Sequence, residues 1–184
     1  MSQIDDIKEV LFSEEKIRAK VLELGSMINE DYKDKEDLVL VGVLKGANIF
    51  MADLIREIER PLEIDFMSVS SYGRGRTEST GVVKILKDLD FEVDGKHVIM
   101  VEDIVDTGAT LHYLSDIMSR RGASSVKIAS LLSKPSRREK EVKIDYLGFD
   151  IPDEFIVGYG IDYSEKYRNL KFIGTLKEEV YQRL

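Results

Sequence analysis

Val101-Glu102-Asp103-Ile104-Val105-Asp106-Thr107-Gly108-Ala109-Thr110 follows the apolar run Val98-Ile99-Met100 and precedes Leu111, Leu114 and Ile117 or Met118 at helical spacing. The stretch reads as a strand-to-helix turn, and it gathers Glu102, Asp103 and Asp106 in one place. A turn that ends Asp-Thr-Gly-Ala-Thr and opens a helix offers backbone N–H groups, hydroxyls and the positive end of the helix dipole, which together suit a phosphate. An ordinary helix start capped by Asp106 or Thr107 is the plainer use of the same residues. Two like charges about 4 Å apart repel by about 1 kcal/mol in water and about 4 kcal/mol near a protein surface. Glu102 and Asp103 therefore need partners if they are partly buried, and sugar hydroxyls or a divalent metal would serve; solvated surface carboxylates are the competing account.

Outward from that turn, Leu38 to Leu44 is a nearly continuous apolar run suited to a central strand. Lys45-Gly46 leads from it into a helix carrying Phe50, Leu54, Ile55 and Ile58, with Pro61 marking the end. Ser13 caps an earlier helix whose Ile17, Val21, Leu24 and Ile28 form one stripe, and a charged linker is expected from Asn29 to Asp37. Leu62, Ile64 and Phe66 alternate as a half-buried strand, with Val82 to Leu86 a second one across a long loop. His97 to Val101 and Val126 to Leu132 read as buried strands, and Arg120-Arg121-Gly122 closes the helix between them. The alternation predicts an α/β domain with a largely parallel central sheet. Ligands in such sheets bind beyond the carboxyl ends of the strands, where Lys45, Glu102 and Lys134 fall.

With 184 residues, 43% of them hydrophobic, the chain suits one domain with a sizeable core, spanning residues 1–184. A formal charge of -8 argues against a nucleic-acid or membrane-surface binder, whose footprint would be basic. There is no cysteine, hence no disulfide or thiolate chemistry. The start lacks a basic segment followed by an apolar one, and no stretch approaches 18 apolar residues, so a cytoplasmic location is expected. His97 and His112 are too isolated in sequence for a zinc site and are expected to be structural.

The decapeptide resembles the 5-phosphoribosyl 1-diphosphate (PRPP) binding motif of type I phosphoribosyltransferases. Three further segments narrow the resemblance to the hypoxanthine-guanine branch of that family: Val43-Leu44-Lys45-Gly46, Ser71-Tyr72-Gly73 opening a loop to Gly81, and Phe155 to Tyr163 with Arg168 beyond. It implies a type I phosphoribosyltransferase fold, with a small hood region and a mobile lid loop beside the central sheet. It also implies purine salvage: transfer of ribose 5-phosphate from PRPP to N9 of a 6-oxopurine, giving IMP or GMP and pyrophosphate.

Carried onto this chain, the resemblance places the 5′-phosphate on Asp106, Thr107, Gly108, Ala109 and Thr110, with Glu102, Asp103, Ile104 and Val105 completing the nucleotide-binding stretch. Glu102 and Asp103 fall at the ribose hydroxyls, directly or through Mg²⁺, and Asp162 is the ligand of a second metal. Asp106 also lies near N7 of the purine and manages its proton. Lys45 and Gly46 face pyrophosphate, across a Leu44–Lys45 peptide that can be cis in this family, and Arg168 clamps it. Ser71 and Tyr72 begin the lid, which would keep water from an oxocarbenium-like species. Lys134 donates to O6 and sets the oxo-versus-amino preference; Phe155 stacks on the base and the main chain at Ile156 reads its N1/C2 edge. Phe155 as plain core, and Asp162 and Arg168 as surface residues, are the alternatives. Arg137-Arg138, in a charged run from Lys134 to Lys143, reads as solvated or at a subunit contact. A homodimer or homotetramer is expected from the family alone. A regulator that has kept the PRPP turn would carry an added domain, a basic face or a changed residue 106, and this chain has none of these. Adenine and pyrimidines are opposed by Lys134 with Phe155, whereas xanthine stays open. A nicotinamide-dependent enzyme is excluded because Gly73-Arg74-Gly75-Arg76-Thr77-Glu78 lacks the third glycine and the helix.

Overall fold

The computed structural model describes residues 3–71 and 83–181. Its strands are Ile7–Phe12 (β1), Leu38–Leu44 (β2), Glu63–Ser71 (β3), Val83–Lys87 (β4), His97–Val105 (β5), Ser125–Ser133 (β6), Tyr146–Asp150 (β7), Ile156–Val157 (β8) and Ile173–Leu176 (β9). Its helices are Glu14–Tyr32 (α1), Asn48–Arg56 (α2), Ala109–Arg120 (α3) and Glu178–Tyr181 (α4). The main sheet runs β4-β3-β2-β5-β6-β7, parallel throughout except for β4, which is antiparallel to β3. This is the α/β architecture expected from the alternation of elements.

Alternate residues of the central strands feed two cores, which is why those strands read as unbroken apolar runs. Leu38, Leu40, Ile99, Val101, Ala129 and Leu131 pack under α1 and α2, while Val39, Val41, Val98, Met100 and Ile128 pack under Leu111, Leu114 and Met118 of α3. Truncating a member such as Leu40, fully buried, to alanine would cost about 2–5 kcal/mol.

Ser13 caps α1 by accepting from Lys16 N at 3.3 Å. The helix continues through Asn29 to Tyr32, so the linker expected from Asn29 is shorter: Tyr32 prolongs the stripe of Ile17, Val21, Leu24 and Ile28 and is itself buried. α2 ends at Arg56, well before Pro61, and Ile58 is buried just beyond it. The short antiparallel sheet β1-β9-β8 forms a hood at the strand ends, with Ile156 and Ile173 packed on the core below α1. Tyr72 and the rest of the expected lid to Gly81 lie outside the described residues; Ser71 ends β3. His97 and His112 contact Ser125 Oγ and the Glu141 carbonyl, and no group of three metal-ligating side chains occurs among the described residues. Among them, no helix is long and apolar enough to cross a membrane.

Candidate active site

β5 runs past Val101 to Val105, so Glu102 and Asp103 belong to the strand and only Asp106 of the three acids stands on the turn. Strand pairing carries them inward, because Glu102 lies opposite Ser130 of the neighbouring strand. Each is about 9% exposed. Burial pushes both carboxyls above their usual range, Glu102 well above it, where the adjacent Asp103 carboxyl adds to the cost of burial. Asp103 Oδ1 accepts from Ile104 N at 2.8 Å, which fixes its rotamer.

The Lys45-Gly46 turn presses directly on Asp103. A Cβ on Gly46 would lie 1.7 Å from Asp103 Oδ2, and one on Gly160, at φ +99°, would lie 2.2 Å from the Gly46 carbonyl oxygen. Glycine is therefore required at both positions for three chain segments to meet. The Leu44–Lys45 peptide is cis.

Beyond β5, Gly108 is the N-cap of α3 at φ +82° and, as glycine, has no side chain with which to cap the helix. Thr107 accepts from Ala109 N through Oγ1, and its carbonyl accepts from Glu139 N and Lys140 N at 3.0 and 2.9 Å. Capping by Asp106 is thus not how the turn is held. The Asp106 carboxyl stays available, and its Oδ1 is buried with no hydrogen-bond partner among the described residues. A cavity of about 220 Å³ opens here, lined by Glu102, Asp106, Thr107, Gly108 and Thr110. Hydroxyls, turn N–H groups and the start of a 12-residue helix face it, an arrangement that binds phosphate.

A second cavity of about 610 Å³ lies on the other side of Asp106, which lines both together with Ile104. Its volume suits a small organic ligand. Lys134, about 9% exposed, enters it at the end of β6 with Nζ donating to the Glu154 carbonyl at 2.8 Å. Phe155 is 45% exposed rather than core, and its ring stacks on Tyr181 at 5.0 Å and meets Tyr163 edge-on at 5.3 Å. Ile156 is buried in β8 at the same wall. An aromatic face, a cation and a carboxyl around one cavity can hold a flat heterocycle with an acceptor edge.

Asp162 and Arg168 form a third group below Gly160. Arg168 donates to the Gly160 carbonyl at 2.7 Å and pairs with Asp162 at 2.8 Å and Glu165 at 3.3 Å, while Lys45 reaches the same Glu165 at 3.2 Å. Asp162 also accepts from Glu165 N at 2.8 Å. Among the described residues, Asp162 does not complete a three-residue ligand set with Glu102 and Asp103. Glu165, which joins Lys45 to Arg168, was not singled out by sequence; acidity in a loop carries no signal of its partners.

Arg137 is exposed, as expected of a solvated residue, but it also has specific partners. Its Nε lies 2.6 Å from Asp153 Oδ1, its Nη1 lies 3.9 Å from Asp106 Oδ2, and it lines the larger cavity. Asp153 and Tyr181 line that cavity too and were likewise missed.

Residues 9–164 match the phosphoribosyl transferase domain family. The hypoxanthine-guanine phosphoribosyltransferase of Streptococcus thermophilus is 56% identical over 178 residues, covering 97% of this chain and 98% of that one. That of Bacillus subtilis is 54% identical over 177 residues, covering 96% and 97%. The crystal structure of a hypoxanthine phosphoribosyltransferase from Staphylococcus aureus superposes with a TM-score of 0.92 at 51% identity, covering 97% of this chain and 96% of the other.

Proposed function

The chain belongs to the phosphoribosyl transferase family, and from that premise we propose how its own residues divide the work. It is a purine-salvage enzyme that transfers the 5-phosphoribosyl group of PRPP to N9 of hypoxanthine or guanine, giving IMP or GMP and pyrophosphate. The division of roles rests chiefly on one observation: Asp106, with an unpartnered buried oxygen, is the wall shared by the phosphate-sized cavity and the base-sized one.

Thr107 to Thr110 hold the 5′-phosphate through turn N–H groups and hydroxyls, with the helix dipole adding attraction. Ile104 and Val105 carry the strand into that turn. Glu102 and Asp103 take the ribose hydroxyls or a Mg²⁺ ion. They fit that ion as an adjacent, buried pair of hard oxygen donors, and Mg²⁺ commonly uses one or two carboxylates plus substrate phosphates. Bound there, Mg²⁺ would neutralise charge on the pyrophosphate. Lys45, Gly46 and Arg168 receive the pyrophosphate as the bond to the anomeric carbon breaks, and Asp162 is proposed to hold a second ion beside Arg168.

On the base side, Asp106 takes the proton from N7 as N9 forms its bond to the ribose, a task worth about 10²- to 10⁴-fold in rate for a well-placed group. Lys134 donates to O6; an adenine amino group would set donor against donor, which a buried site tolerates poorly. Phe155 stacks on the ring and the Ile156 main chain meets the N1/C2 edge. We propose that the whole chain acts as one phosphoribosyltransferase domain, in the cytoplasm, as a homodimer or homotetramer.

Nucleotide formation from PRPP with hypoxanthine, guanine, xanthine, adenine, uracil and orotate, with and without Mg²⁺, tests the reading. Metal-dependent IMP and GMP, with nothing from adenine, uracil or orotate, is expected. No product from any base, with PRPP still bound, would overturn it.

A further inference from the structure

Lys134, Pro135, Ser136 and Arg137 make a single turn. Pro135 to Arg137 is 3₁₀-helical with Lys134 as its N-cap, and Arg137 N donates to the Lys134 carbonyl at 3.1 Å. In such a turn, residues i and i+3 eclipse, so Lys134 and Arg137 leave it on one side. Both line the base cavity. Asp153, from the loop before β8, stands between them, with Oδ1 2.6 Å from Arg137 Nε and 3.6 Å from Lys134 Nζ. The far end of the same guanidinium is 3.9 Å from Asp106 Oδ2. Asp153 is held below its usual pKa, chiefly by its hydrogen bond from Arg137, so it stays charged.

We propose that Arg137 is a positioning residue for base transfer: with Asp153 it holds the Lys134 ammonium and the Asp106 carboxyl at one fixed spacing. This rests on the roles assigned above to Lys134 and Asp106. A planar guanidinium with several donors can serve two carboxylates at once, which a lysine ammonium on a single flexible stem does poorly. The pairs do little for folding, because the Arg137 and Asp153 side chains are 52% and 44% exposed and solvent screens their attraction. Their effect comes when a base fills the cavity. Water leaves, the local dielectric falls, and the charges around the base interact more strongly. A 6-oxopurine presents O6 and N7 along one edge, so a fixed spacing between Lys134 and Asp106 selects for that edge.

The test compares Arg137→Ala, Arg137→Lys, Asp153→Ala and the double Arg137→Ala/Asp153→Ala with the parent enzyme. Asp106→Asn and Lys134→Ala serve as references, and kcat and KM are measured separately for hypoxanthine and for PRPP. We expect kcat/KM for hypoxanthine to fall roughly 10- to 100-fold in Arg137→Ala, the scale of an ångström-level misplacement. The PRPP KM should stay within about twofold of the parent, Arg137→Lys should rescue only partly, and the double variant should lose no more than the worse single one. The proposal is overturned if hypoxanthine kcat/KM in Arg137→Ala stays within about twofold while the reference variants lose turnover. It is equally overturned if the loss falls on PRPP and base alike, or if the two single losses multiply in the double variant. Unchanged turnover in both reference variants would instead remove the site assignment on which the proposal stands.

Discussion

Glu102 and Asp103 are about 9% exposed and sit in a strand paired on both sides, whereas Arg137 and Asp153, at the base cavity, are about half exposed and sit on turns. The ribose-phosphate half is fixed by backbone: β5, the Gly46 contact with Asp103 and the Gly160 contact with Gly46 leave its acids little freedom. The base half is fixed by side chains that brace one another, from Lys134 through Asp153 and Arg137 to Asp106. The difference teaches where each kind of error would show. A fault in the first half is steric and reaches PRPP; a fault in the second is electrostatic and reaches the base.

Asp106 belongs to both halves, so its replacement should have the largest effect. Asp106→Asn keeps the shape of the wall and removes the proton carrier, and turnover is expected to fall about 10²- to 10⁴-fold with PRPP binding retained. Loss of PRPP binding in the same measure, read by calorimetry, would break the division. Next comes Gly46→Ala, whose Cβ would overlap Asp103 Oδ2. Either the turn or the acid must move, and we expect the PRPP KM to rise about tenfold or more while affinity for the base alone is kept. An unchanged PRPP KM would mean the contact is only packing. For Lys134→Ala the expected loss is roughly tenfold, confined to 6-oxopurines. Equal losses across all bases in a competition assay would show that Lys134 does not read O6.

The smallest effect is on stability. Glu102 and Asp103 have folded-state pKa values raised above the unfolded ones, so the unfolded chain gives up these protons first. Their contribution destabilises the free protein progressively as pH rises from about 4, the unfolded value, toward the folded ones. Glu102→Gln removes part of that penalty. Its thermal midpoint without ligand should exceed the parent's by a few degrees at pH 7 and match it below about pH 4. A lower midpoint at pH 7 would show that the Glu102 carboxylate is paired in the free protein.

The two halves also differ in how far the sequence reveals them. The ribose-phosphate half is contiguous from Glu102 to Thr110, and the acids, hydroxyls and glycine of a phosphate turn stand side by side. Periodicity likewise exposes α1 and the buried strands, because their side chains report burial directly. Periodicity fails for β8, which has two residues, and for β7, whose Tyr-Leu-Gly-Phe-Asp carries no clean alternation. It fails again for Arg137, where a run of charges looks solvated until the 3₁₀ turn and the distant Asp153 and Asp106 are brought around it. Pro135 followed by Arg137 three places after Lys134 is the available cue: a proline-started turn sets the two cations on one side.

Asp106 and Ile104 each line both cavities, so the two cavities share part of a wall. Filling one and moving that wall changes the other, and thermodynamic linkage makes the exchange symmetric: whatever factor bound PRPP applies to the affinity for a base, the base must apply to PRPP. Two separate calorimetric titrations, each with the other site filled, must therefore return one and the same coupling constant, whichever substrate arrives first during turnover.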